Sequence, residues 1–170
     1  KIYIIMNRLK KYKVIGIMTG TSIDGLDLVY QETNGTNFVN NICGKTYKYS
    51  ASYKKRIKLF IKEIMTKSEK EKNKIDEIIT NKIKFLISKF IIEFNIKKSE
   101  IDLIGLSGQT VLHNPKKKIS IQLGSGKEIA KYFKIKVISN YRDNDIKNNG
   151  QGAPIGSFYH KYIIKKYKLN

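Results

Sequence analysis

This chain is poor in the residues that most directly mark chemistry. It has one cysteine, Cys43, and two histidines, His113 and His160. A single cysteine forms no internal disulfide and is no metal site by itself. Neither histidine has a partner at ligand spacing, which argues against zinc. Ser22 lacks the His/Asp company of a nucleophilic serine. No Gly-x4-Gly-Lys-Ser/Thr run occurs, which excludes a P-loop ATPase. No stretch reaches the roughly 20 apolar residues of a membrane span. The apolar start, Lys1 to Ile5, is too short for the core of a secretion signal. These absences lead to the expectation of a reducing, cytoplasmic setting with no membrane partner. Cys43 is read as a small, unreactive strand residue.

Acidic residues are also scarce, with 14 Asp and Glu against 34 Lys and Arg, a net charge of +20. Such a charge invites a nucleic-acid reading. Arginine is nearly absent, however: only Arg8, Arg56 and Arg142 occur. Base recognition favours the planar, bidentate guanidinium, and no stacking motif accompanies the lysines. Lysine, isoleucine and asparagine together match an A/T-rich coding sequence. The charge is therefore read as drift on solvated faces, with no specific nucleic-acid partner. A length of 170 residues suits one domain or one lobe, and 41% hydrophobic content supplies a core.

The periodicities predict an α/β fold with a mixed sheet and flanking helices. Val14–Met18 and Leu26–Tyr30 read as strands, Thr33–Gly35 as a turn, and 38–50 as one or two further strands. Residues 54–67 read as a helix on the stripe Ile57, Phe60, Ile61 and Ile64. A long helix follows over 69–94. Strands are then expected at 103–106, 120–123 and 137–140, with helices at 127–133 and 158–167. Ser107–Thr110 reads as a turn and 143–156 as a polar, Gly-rich loop.

The richest stretch lies between the first two strands. Gly20, Thr21, Ser22, Ile23, Asp24, Gly25, Leu26 and Asp27 combine hydroxyls, free backbone N–H groups and carboxylates. Gly20 and Gly25 permit positive φ and a close ligand approach. N–H and hydroxyl donors suit phosphate oxygens. Asp24 suits a magnesium ion held through water. A polar hairpin turn with no ligand is the plainer alternative. Asp27 stands equally well as structural or functional.

Gly16-x-Met18-Thr-Gly-Thr-Ser-x-Asp24-Gly-x-Asp27 resembles the opening motif of the anhydro-N-acetylmuramic acid kinases. Asp102 to Thr110 resembles that family's strand and Gly-Gln-Thr turn. Asn140-Tyr-Arg142 through Gly150-Gln-Gly-Ala-Pro154 resembles its Arg-containing strand end and following loop. The likeness spans roughly 12–160 and only the first half of a family member. It implies the first lobe of an actin-like, sugar-kinase-type ATPase fold, with residues 1–11 an extension and 12–170 the lobe.

The resemblance implies ATP and magnesium as cofactors, with 20–27 on the phosphates and Asp24 at the metal. It implies an anhydro amino sugar as substrate, phosphorylated with ring hydrolysis in cell-wall recycling. Gln109, Thr110, Arg142, Gly150, Gln151 and Gly152 are the candidate substrate-binding residues. Gln109 and Thr110 carry amide and hydroxyl groups suited to sugar hydroxyls and carboxylates, with capping of a tight turn the plainer alternative, and Arg142 serves equally as a partner of Asp143 or Asp145. No catalytic residue is expected here, because the family's general base lies in a second lobe. This stretch alone is expected to be inactive; a non-catalytic remnant is the alternative, and a homodimer is possible. Ser107, Asn140 and Asn149 differ from the family's usual His, Asp and Gly, and Thr19 from its Ser. The first two fall on the sugar side.

Overall fold

The computed structural model describes residues 10–168. The expected extension over 1–11 lies almost wholly outside the described residues, as do residues 169 and 170.

The chain opens with an antiparallel meander: β1 (Tyr12–Met18), β2 (Gly25–Thr33) and β3 (Val39–Lys48). Period-2 alternation decides its faces. Ile15 and Ile17 on β1, with Leu26, Leu28 and Tyr30 on β2, are buried. Residues 38–50 thus give one strand, with a register shift opposite Tyr30 and Gln31. Cys43 is half-buried there, facing Tyr30, and burial pushes its thiol pKa up. At the β2–β3 turn the Asn34 Oδ1 accepts from the N–H groups of Thr36, Asn37 and Phe38 at 3.0–3.1 Å, the Asx chemistry expected of Thr33–Gly35.

Helices α1 (Ala51–Lys62) and α2 (Glu69–Glu93) cover the buried face. Ser50 caps α1 by accepting from the Tyr53 N–H, so the helix starts at Ala51 rather than Lys54. It ends at Lys62 rather than Lys67, and Ile64 is buried from the turn that follows. Helix α2 opens with a reciprocal Ser68–Glu71 capping box. Its inner stripe includes Ile75, Ile79, Ile83, Leu86, Ile87 and Phe90. Each fully buried isoleucine contributes roughly 1.5–3 kcal/mol relative to exposure. That far outweighs the solvent-screened ion pairs on the outer side, so packing holds this helix in place.

Past a short 3₁₀ turn (Lys98–Glu100), β4 (Leu103–Leu106) joins β1 in parallel. A hairpin of β5 (Gln109–Asn114) and β6 (Ile119–Leu123) stands apart as a two-stranded sheet. Helix α3 (Gly126–Phe133) leads into β7 (Lys136–Ile138), parallel to β4. The main sheet therefore runs β3-β2-β1-β4-β7, and the α/β mixed-sheet expectation holds. Two short helices close the chain, α4 (Asp143–Lys147) and α5 (Ser157–Tyr167). The Tyr162 hydroxyl of α5 bonds the backbone of Val39, tying that helix to β3.

Two further stretches depart from the sequence expectation. Gln109 and Thr110 are the first residues of β5, not part of a turn; only Ser107 and Gly108 turn. The stretch 143–156 is not loop throughout, because α4 forms at its start around the buried Ile146.

Candidate functional site

Strands β1, β4 and β7 are mutually parallel, so their C-terminal ends share one rim. The loops leaving them are Thr19–Asp24, the turn Ser107–Gly108, and the segment from Ser139 onward. All three polar segments singled out in the sequence begin at this rim.

The first loop is pinned below and open above. The Ile23 N–H donates to the Gly20 carbonyl at 3.1 Å, leaving Thr21 and Ser22 exposed at the tip. Ile23 has φ of +58° and is 1% exposed. A β-branched residue in this region is strained, and burial of its side chain holds it there. Gly20 and Gly25 permit positive φ, but neither adopts it. Gly25 is needed for a different reason: a Cβ there would lie 2.6 Å from the Tyr47 carbonyl oxygen. Gly20 has no such neighbour, its nearest being Ser22 Oγ at 3.5 Å.

Asp24 stands at the loop's exit with its side chain 74% exposed. A hydrogen bond from Ser22 holds its carboxyl below the usual range, with help from Lys54 and Lys58. Lys54 Nζ lies 3.5 Å from Asp24 Oδ1. The Asp24 carbonyl accepts from the Tyr49 N–H at 3.0 Å, which joins the loop to the start of α1. Leu26 is fully buried. Asp27 stands on the opposite sheet face and accepts from the Thr46 hydroxyl at 2.6 Å.

The second segment clasps the first. Gln109 is 3% exposed. Its Oε1 accepts from the Thr19 hydroxyl at 2.7 Å, and its Nε2 donates to the Gly20 carbonyl at 3.1 Å. The Ser107 N–H donates to the Ile17 carbonyl at 3.2 Å. Both ends of the Gln109 amide are thus in use within the chain. Thr110 is half-buried, paired across the hairpin with Gln122.

The third segment folds on itself. Arg142 Nη1 donates to the Gly152 carbonyl at 2.6 Å, and Asp145 Oδ2 accepts from the Gly152 N–H at 2.6 Å. The Gly150 N–H donates to the Asp145 carbonyl at 2.7 Å. Guanidinium and carboxylate thus meet on one glycine rather than on each other. Gln151 is exposed at the tip. Tyr141 lies over Gly105 of β4, where a Cβ would sit 2.7 Å from its hydroxyl.

A cavity of about 650 Å³ lies between the sheet's second face and α5, lined by Gly16, Val29, Leu103, Tyr141 and Tyr159. It reaches the rim where the three segments begin at Met18, Asp27 and Ser107. Another of about 630 Å³, near Lys98, Asp102 and Lys136, includes none of the predicted site residues.

Sequence reasoning missed the Gln109 clasp and the approach of Lys54 to Asp24. Ser50 followed by Lys54 was the available signal: a cap residue places Lys54 in the first turn of α1.

A meander leading into parallel strands, with helices on its buried face, makes a mixed α/β fold, and the family it matches is of the actin-like, sugar-kinase type. The family described as anhydro-N-acetylmuramic acid kinase matches residues 12–169. The chain belongs to that family. It is 31% identical over 159 residues to a Rhizobium etli protein of that name and 32% over 159 residues to one from Rhizobium johnstonii. It is 32% identical over 163 residues to another of the same name from Pelagibacter ubique. These alignments cover 91–94% of this chain and 43% of each relative. The chain thus spans less than half the length of the curated relatives it matches. Among the described residues no helix is long and apolar enough to cross a membrane.

Proposed function

We propose that this chain, residues 12–170, is the phosphate-holding lobe of an ATP-dependent kinase for 1,6-anhydro-N-acetylmuramic acid. Phosphorylation is accompanied by hydrolytic opening of the anhydro ring, giving N-acetylmuramic acid 6-phosphate. One observation carries the reading: the Gly20–Asp24 turn stands open at the rim while Gln109 clamps its base. Phosphoryl transfer depends on positioning and on donors to phosphate oxygens, and this turn offers both. The Thr21 hydroxyl and the loop's N–H groups, that of Ser22 included, are the phosphate donors, while the Ser22 hydroxyl stays on Asp24. Gly150–Gly152 and Arg142 shape the sugar side through backbone groups.

Magnesium fits Asp24 in a limited way. Among the described residues no three His, Cys, Asp or Glu side chains gather where they could hold a metal. One exposed, ionised carboxylate suits an ion held mostly by water and phosphate oxygens. When bound, that ion would offset charge on the phosphates. The chain's own part is to present the exposed Asp24 carboxylate at the loop's exit.

A non-catalytic binding module is the second reading, favoured by the Gln109 amide being occupied within the chain. The test joins this chain to the remaining C-terminal part of the Rhizobium etli relative and assays it with ATP, magnesium and the anhydro sugar. We expect phosphorylation by the chimera, weakened magnesium–nucleotide use by its Asp24→Ala variant, and little or no turnover by the 170-residue chain alone. A folded chimera that binds nucleotide but turns over no sugar would favour the binding module. Efficient turnover by the chain alone would overturn the two-lobe reading.

A further inference from the structure

The Thr19–Asp27 stretch contains two aspartates and no basic residue. A polyphosphate brought to it meets net repulsion unless cations arrive from elsewhere in the fold. Helix α1 supplies them. Its start is bolted to the loop by the Tyr49 N–H bond to the Asp24 carbonyl, 3.0 Å. The Tyr49 and Tyr53 rings, on either side of the α1 cap, pack against each other in a tilted pair with centroids 4.7 Å apart. Lys54 belongs to that turn, its N–H bonded to the Ser50 carbonyl at 3.0 Å. Its side chain is 32% exposed, against 78% for Lys97 on the same molecule. Lys58 follows four positions on, along the same helix face.

We infer that Lys54 is a phosphate-contacting residue of the first loop, with Lys58 one helical turn behind as a second cation. This rests on the nucleotide reading above. In the ligand-free protein the Lys54 ammonium lies beside Asp24; with a triphosphate seated over Gly20–Asp24 it turns to the phosphate oxygens. The exchange sacrifices little, because the starting pair is long and largely solvated. A four-carbon stem with three donors suits such a move.

The test uses this chain and inorganic tripolyphosphate, which carries the phosphates without the nucleoside, at about 0.15 M salt. Backbone amide shifts report the site and its affinity. In the unmodified chain the amides of 20–25 should shift saturably. Lys54→Gln should weaken binding about fivefold to tenfold, the loss expected of one charged hydrogen bond in a partly exposed site. Lys54→Arg should stay within about twofold, since the charge and donors remain. Lys116→Gln, on the exposed tip of the β5–β6 hairpin, removes the same charge elsewhere and should have less than about a twofold effect. Denaturant midpoints of all variants should match closely, since Lys54 gives up only a long, screened ion pair and Lys116 is exposed. Equal weakening by Lys54→Gln and Lys116→Gln, with the loop amides still shifting, would overturn the role of Lys54 alone. No shift of the 20–25 amides, with or without magnesium, would remove the nucleotide reading and this inference together.

Discussion

The turn between β1 and β2 and the segment from Arg142 to Pro154 share a rim but use their polar groups in opposite ways. In the first, the groups at the base are bonded and those at the tip are open: Thr19 and Gly20 are tied to Gln109, while Thr21 and Ser22 are exposed. In the second, the charged side chains themselves are consumed, since Arg142 and Asp145 both bond Gly152. The first is a platform that presents donors. The second is a brace that presents backbone. Residue type alone does not separate these roles; the destination of each hydrogen bond does.

The sharpest way to break this contrast is to cut each tie. Gln109→Leu takes the Gln109 partner from the buried Thr19 hydroxyl and one of two bonds from the Gly20 carbonyl, and should cost about 1–3 kcal/mol. It should also speed hydrogen exchange at Gly20–Asp24. Arg142→Ala removes a half-buried bond and should cost about 1 kcal/mol, with faster exchange confined to Gly150–Gly152. Tripolyphosphate affinity should fall in the first variant and hold in the second. Denaturant unfolding with residue-resolved exchange checks both, and a matching loss of affinity would show that the two segments form one site.

A smaller effect separates the loop's two glycines. Gly25→Ala forces a methyl against the Tyr47 carbonyl and should destabilise by about 1–3 kcal/mol. Gly20→Ala should leave stability within about 0.5 kcal/mol, because space is available. Its methyl should nonetheless block ligand approach and weaken tripolyphosphate binding. If Gly20→Ala binds normally, the open side of the turn is not where phosphate sits.

The smallest effect is electrostatic. The folded-state pKa of Asp24 is depressed, so its favourable interaction is present above the ordinary carboxylate range and is lost as pH falls through the lowered value. Ser22 is the largest cause. Ser22→Ala should move the Asp24 titration midpoint up toward its ordinary value, read from the carboxyl carbon shift. An unmoved midpoint would take Ser22 out of the loop's electrostatics.

Much of this architecture was legible in the residues because apolar spacing reports burial. The runs at Val14–Met18 and Leu103–Leu106, and the isoleucine stripe of α2, specify their elements locally. Strand β5 was not legible at its start. Gln109 reads as a turn residue, yet it is buried because its partners come from Thr19 and Gly20, far away in the chain. Helix α4 was missed because Asp143, Asn144 and Asp145 are weak helix formers. It is held by Ile146, which is buried and whose side chain a Cβ at Gly152 would meet at 2.8 Å. Two glycines in the first loop drew attention away from Ile23, whose left-handed backbone depends on a pocket made by the rest of the core.

That buried isoleucine has a consequence for recognition. With Ile23 seated in the interior, the donors at Thr21 and Ser22 rest on a fixed floor, and their arrangement is settled when the chain folds. An arriving anion then meets a preset geometry, with little ordering entropy left to oppose capture.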